Sequence, residues 1–213
     1  MWRFDRFGDA VALLDEHGQS LTYAQLAREG EALCGAIGGR CLCFGLCGNT
    51  IGSAVGYAGM VEGGVVPALL AASIDRELFA ALYEAYHPAY LWAPEGFEWE
   101  ACESVYERFG YRLLKTPFGT ETKLHDDLAL LLTTSGSTGS PKFVRQSYAN
   151  IRANTESIVE YLALTAQEKP ITTLPMNYTY GLSILNTHLW VGATVLLTEK
   201  GIAQRDFWTF SVN

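Results

Sequence analysis

Between Leu128 and Ser147 the chain gathers the residue types that hold a polyphosphate. The run Thr133-Thr134-Ser135-Gly136-Ser137-Thr138-Gly139-Ser140 supplies glycines and hydroxyls, and Pro141-Lys142 closes it. Gly136 and Gly139 permit close backbone approaches that a side chain would forbid. The hydroxyls of Ser135, Ser137, Thr138 and Ser140 donate hydrogen bonds without bulk. Successive backbone N–H groups in such a turn form an anion-binding concavity. Lys142 adds a mobile positive charge just past it. The apolar run Leu128 to Leu132 leads in, and the β-prone Phe143-Val144 leads out, so the loop joins two strands.

Spacing separates this loop from better-known ones. A Walker loop needs G-x-x-x-x-G-K-[ST], but here Lys142 follows Pro141 and only two residues separate the glycines. The dinucleotide fingerprint G-x-G-x-x-G is absent. Gly136-Ser137-Thr138-Gly139 is one residue short of the nucleophile elbow G-x-S-x-G.

At every position, Thr134-Ser135-Gly136-Ser137-Thr138-Gly139-Ser140-Pro141-Lys142 resembles the T-S-G-[ST]-T-G-x-P-K signature of the adenylate-forming enzymes. These are the acyl-CoA synthetases, nonribosomal peptide adenylation domains and luciferases. The family usually has Gly after the lysine, and this chain has Phe143, which stiffens the start of the next strand. A second stretch, Leu174-Pro175-Met176-Asn177-Tyr178-Thr179-Tyr180-Gly181-Leu182, resembles the family's Pro, aromatic-rich turn and pocket-lining helix. Tyr178 stands where the family often has His. Taken alone, this stretch is equally a strand-to-helix turn with core aromatics. Earlier pieces follow the family's order: Leu21-Thr22-Tyr23 with Leu26, then Asn49, then Gly64-Val65-Val66.

The resemblance implies an ATP-dependent acid–thiol ligase that activates a carboxylate as acyl-AMP, releases pyrophosphate and passes the acyl group to CoA or to a carrier protein's phosphopantetheine. It assigns Thr134, Ser135, Gly136, Ser137, Thr138, Gly139 and Lys142 to the ATP phosphates, and Tyr178 and Gly181 to the acyl pocket. Mg²⁺ is implied as a cofactor whose protein ligand is not in this chain. Tyr180-Gly181 leads into Leu182-Ser183, so the family's Tyr-Gly-x-Thr-Glu type segment is not found. The ribose-binding Asp, hinge and C-terminal catalytic Lys come later in the family. Residues 1–213 are therefore expected to be the N-terminal portion of an AMP-binding domain, inactive alone, with the catalytic residues beyond Asn213. The rival reading is a non-catalytic α/β module that binds a nucleotide or phosphorylated partner through the same loop.

Composition agrees with a globular protein. Of the 213 residues 49% are hydrophobic and 18% charged, enough for a core. A net charge of -8 argues against a general nucleic-acid surface. No apolar run reaches membrane-spanning length, and Met1-Trp2-Arg3-Phe4-Asp5 does not read as a signal peptide, so the expectation is a cytoplasmic protein without a membrane partner.

The elements that position the loop follow from periodicity. Residues 10–15 read as a strand and His17-Gly18 as its turn. Thr22 and Gln25 form a capping box that opens a helix through Leu26, Gly30, Leu33 and Ile37 to about Gly38. A strand over 40–47 follows, then a helix over 51–62 capped by Asn49 and rich in Gly and Ala for close packing. Next come a strand over 65–70, a helix opened by Asp75 and ended at Pro88, and a strand over 89–93. Trp99, Val105, Tyr106 and Phe109 suggest a helix, Tyr111–Lys115 a short strand, and 119–127 a polar loop. A helix over 148–164 follows the phosphate loop. Then come strand-like residues 171–174, a helix over 181–191, a strand over 193–198 and the start of a helix over 205–210. Alternating βαβ units argue an α/β fold with a largely parallel sheet. The unfinished sheet is expected to expose Val195–Leu197 and Phe207–Phe210 and to favour self-association.

Two other clusters carry weaker chemistry. Cys41, Cys43 and Cys47 share one parity of a strand, with Leu42, Phe44 and Leu46 on the other. That is the pattern of a strand buried on both faces, and no His stands nearby for a zinc site. His125, Asp126 and Asp127 read as a solvated turn and take no role.

Overall fold

The computed structural model describes residues 1–120, 123–133 and 142–211. They build strands β1 (Val11–Asp15), β2 (Ser20–Thr22), β3 (Leu42–Cys47), β4 (Val66–Ala71), β5 (Tyr90–Pro94), β6 (Glu103–Arg108), β7 (Tyr111–Lys115), β8 (Leu128–Thr133), β9 (Phe143–Ser147) and β10 (Val195–Leu197). The helices are α1 (Tyr23–Ile37), α2 (Ile51–Glu62), α3 (Arg76–Tyr86), α4 (Tyr148–Leu162), α5 (Thr179–Val191) and α6 (Arg205–Ser211). The larger sheet runs β6-β7-β5-β3-β4-β8-β9, parallel from β5 through β8 and antiparallel at both edges. The smaller sheet runs β10-β1-β2, with β1 parallel to β10.

β3 is buried along its whole length, and its two faces meet different helices. Cys41 and Cys43 pack with Leu33 of α1 and Met60 of α2, while Leu42, Phe44 and Leu46 pack with Phe79 and Leu82 of α3. This two-sided cover explains the near-continuous apolar run. Where α1 crosses α2, Gly30 meets Gly59 backbone to backbone. Thr22 and Gln25 make the capping box, and Asp75 caps α3. Among the described residues no helix is long and apolar enough to cross a membrane.

Several expectations are corrected. Residues 103–108 form an edge strand, not a helix; only Tyr106 turns inward, lying over Trp92 with ring centroids 6.3 Å apart. Thr50, not Asn49, caps α2, its side chain accepting from the Ser53 N–H. Residues 171–174 contribute an isolated bridge, Ile171 to Leu196, in place of a strand. Val195, Leu196, Leu197 and Phe207 are buried rather than exposed, because β10 pairs with β1 and packs on the core. Of the 207–210 stretch Trp208 and Thr209 are exposed.

Candidate functional site

β3, β4 and β8 are parallel, so their carboxyl ends share one edge of the sheet, where open α/β sheets take their ligands. The Ala129–Leu132 side chains are buried, which holds β8 as an interior strand. The phosphate-loop residues Thr134, Ser135, Gly136, Ser137, Thr138 and Gly139 lie outside the described residues. Both ends of the loop are described. Thr133 pairs with Phe143 across β8 and β9, and Lys142 precedes that pair, exposed, at the same edge.

Phe143 replaces the family's glycine and has a job in the packing. Its ring meets Phe44 at 5.8 Å and Tyr86 at 4.8 Å, edge to face, and its N–H donates to the Tyr86 hydroxyl at 3.4 Å. The lysine's backbone is thereby tied to the core one residue away. Phe143→Gly is expected to lower stability by about 1–3 kcal/mol, less than a fully buried aromatic would, because the ring is half-buried. Urea unfolding of the variant checks this; an unchanged midpoint would deny the ring its anchoring role.

The second motif reaches the same edge by a different route. Met176 Sδ accepts a hydrogen bond at 3.0 Å from Ser53 Oγ, in the first turn of α2, which begins just past β3. Tyr178 donates its N–H to the Pro175 carbonyl at 3.1 Å and occupies the N-cap position of α5. Tyr178 and Tyr180 are exposed, Gly181 is buried. A Cβ on Gly181 would lie 2.3 Å from the Pro175 carbonyl oxygen, so only glycine lets the helix start against this turn.

Two asparagines were not singled out for the site from sequence. Asn177 is 3% exposed and Asn49 half-buried, and in each the Oδ1 atom is buried with no hydrogen-bond partner among the described residues. Asn49 reads as a helix cap until Thr50 takes that role. An asparagine between Met176 and Tyr178, in an otherwise apolar stretch, is the signal that could have marked Asn177.

The other candidate clusters find structural explanations. Burial pushes the Cys41 thiol up to about 11 and Cys47 up to about 12, so both stay protonated near neutrality. Among the described residues no group of three His, Cys, Asp or Glu is placed to hold a metal ion. His125, Asp126 and Asp127 form an exposed turn whose carbonyls at His125 and Asp126 accept from Arg40.

A largely parallel sheet with helices on both faces defines an α/β protein. The chain belongs to the AMP-binding enzyme family, whose profile matches residues 76–212. It is 28% identical over 228 residues to the mitochondrial malonate–CoA ligase of Bos taurus, a match covering 95% of this chain and 38% of that protein. It is 36% identical over 75 residues to the 2-succinylbenzoate–CoA ligase of Bacillus velezensis, covering 35% of this chain and 15% of the other. The O-succinylbenzoate CoA synthetase of Bacillus subtilis, solved with ATP and magnesium, superposes with a TM-score of 0.77 at 22% identity, over 99% of this chain and 59% of that one. The architecture is that of the N-terminal large domain of adenylate-forming enzymes. The chain thus spans less than two thirds of the length of these ligases, 38% of the malonate–CoA ligase and 59% of the solved synthetase.

Proposed function

We propose that this chain is the nucleotide- and acid-binding part of an ATP-dependent acid–thiol ligase. Supporting this is the position of two motifs toward the carboxyl ends of the parallel strands: the β8–β9 corner with Lys142, and the Met176–Gly181 turn bonded to α2 through Ser53. In this reading the backbone N–H groups and hydroxyls of Thr134–Gly139 hold the β- and γ-phosphates, and Lys142 neutralises them. The acid lies against Tyr178 and Gly181. Its carboxylate oxygen attacks the α-phosphorus in line; the bond to the bridging oxygen breaks, and pyrophosphate leaves with the electron pair. Positioning and charge neutralisation supply most of the rate. The acyl group then passes to the sulfur of a thiol, of CoA or of a carrier protein, as the acyl–phosphate C–O bond breaks, AMP leaves with its electron pair and the thiol proton is released. Mg²⁺ would contribute charge neutralisation at the phosphate oxygens. The described residues offer it no cluster of His, Cys, Asp or Glu ligands.

The test is calorimetric titration with ATP and Mg²⁺, run beside acid-dependent ATP–pyrophosphate exchange. The 213-residue chain is expected to bind ATP weakly and to support no exchange, because removing even one preorganised contact typically costs about 10²–10³ in rate. No ATP binding at millimolar concentration would remove the reading.

A further inference from the structure

The β6–β7 side of the larger sheet holds a cavity away from the two motifs above. Its volume is about 410 Å³, within the roughly 300–1,000 Å³ of small-molecule sites. β5, β3 and β4 lie between β7, which lines it, and β8, so at the usual strand spacing it stands roughly 20 Å from the phosphate-loop corner. Its aromatic wall is Phe97 and Trp99, stacked with ring centroids 6.2 Å apart. Phe79 of α3, 1% exposed, meets these rings edge to face at 5.2 and 4.6 Å, which ties the wall to the core. Four charged side chains line the same cavity: Arg76, Arg112, Glu98 and Glu100. Among the described residues none of the four belongs to an ion pair. Other contacts fix the two guanidinium groups. Arg76 lies over the Trp99 ring, 5.0 Å from its centroid, and Arg112 donates from Nη2 to the Phe97 carbonyl at 2.9 Å. A guanidinium has five donors, so each keeps others for an acceptor. Glu98 and Glu100 flank Trp99 in the chain, both exposed. Charges of both signs, set around one aromatic wall and not joined to each other, fit a ligand that carries both signs itself.

We propose that this cavity binds a free α-amino acid with an aromatic or large apolar side chain. The ligand's carboxylate accepts from Arg112 and Arg76, whose planar forks suit carboxylates. Its ammonium donates to Glu98 or Glu100, and its side chain lies against Phe97 and Trp99. A ligand of a single charge meets two groups that attract it and two that repel it, so a zwitterion alone uses all four. The site is separate from the ligase reading and stands or falls without it.

The probes are L-phenylalanine, 3-phenylpropionate, which lacks the ammonium, and 2-phenylethylamine, which lacks the carboxylate. Each is titrated into the 213-residue chain and followed by amide chemical shifts. L-Phenylalanine is expected to bind about tenfold tighter than either analogue, as one charge-assisted contact allows, with shifts centred on residues 97–104 and 112. Glu98→Gln combined with Glu100→Gln should weaken L-phenylalanine and 2-phenylethylamine about tenfold and not weaken 3-phenylpropionate. Both glutamates are exposed, so the fold survives the change. Arg112→Gln should weaken L-phenylalanine and 3-phenylpropionate and spare the amine. If loss of the bond to Phe97 unfolds that variant, Arg76→Gln takes its place with the same expectation. Equal binding of the three probes by the unmodified chain, shifts centred elsewhere, or no shift at millimolar L-phenylalanine overturns the proposal. So does an affinity for L-phenylalanine unchanged by the paired glutamate substitution.

Discussion

Gly59→Val is expected to cost more than about 3 kcal/mol and to leave little folded protein at 37 °C. A Cβ on Gly59 would lie 2.5 Å from the Cα of Gly30, and a Cβ on Gly30 would lie 2.7 Å from the Cα of Gly59. Both obstacles are backbone, so relief requires α1 and α2 to move apart. Both helices are also fixed by core side chains. Leu26 and Leu33 of α1 are almost wholly buried, as are Tyr57 and Met60 of α2. The Gly59 carbonyl also accepts from the Cys34 thiol at 3.2 Å and from the Gly63 N–H, which resists sliding. Spreading the pair would open voids through the core beneath β3. Even Gly59→Ala should lose stability, although alanine favours a helix by about 1 kcal/mol over glycine. Gly35→Ala serves as the control, since a Cβ there meets nothing within 4 Å on the exposed face of the neighbouring helix α1. It should gain roughly 0.5–1 kcal/mol. Urea unfolding of the three variants decides the matter; a Gly59→Ala protein as stable as Gly35→Ala would show that the helices are free to separate.

Elements with a strong local cause could be read before any coordinates. Thr22 with Gln25, and Asp75, cap helices through bonds to backbone groups a few residues away, so their meaning is local. The run Leu42–Cys47 is apolar on both parities because helices cover both faces of β3. β6 is hard to read in the sequence for the opposite reason. As an edge strand it is largely solvated, with a bulge between Ser104 and Tyr106, and so shows no clean alternation. The box between Ser147 and Asn150 escaped notice because asparagine replaces the usual Glu or Gln. The fate of Val195–Leu197 depends on pairing with β1, far away in sequence, which no local pattern encodes. The site divides the same way. The loop from Thr134 to Lys142 carries its chemistry in its own residue types. Asn177 becomes notable only once its burial and missing partner are known, and both are tertiary facts.

Lys142→Ala should weaken ATP binding about tenfold or more and leave stability nearly unchanged. Lys142 is exposed, with no ion pair or side-chain hydrogen bond among the described residues, so removing it disturbs no packing. Surface substitutions of that kind usually stay within about 0.5 kcal/mol. Its backbone, by contrast, is closely placed. Phe143 beside it is held by Phe44 and Tyr86, and Thr133 pairs across the ladder. A cation on a fixed stem at the carboxyl edge of β8 can meet phosphate oxygens while losing only side-chain freedom. One hydrogen bond to a charged group is worth about 1.5–3 kcal/mol, which corresponds to roughly ten- to 150-fold in affinity. The contact is solvent-accessible, so the gap between the two proteins should narrow as salt rises from about 0.05 to 0.5 M. Lys142→Arg keeps the charge and should recover part of the binding. Inorganic tripolyphosphate, which lacks the nucleoside, should show the same loss as ATP, whereas adenosine should show none. Identical ATP and tripolyphosphate titrations for Lys142→Ala and the unmodified chain would remove the lysine from the phosphate site. A loss for adenosine equal to that for ATP would place the lysine beside the nucleoside instead of the leaving phosphates.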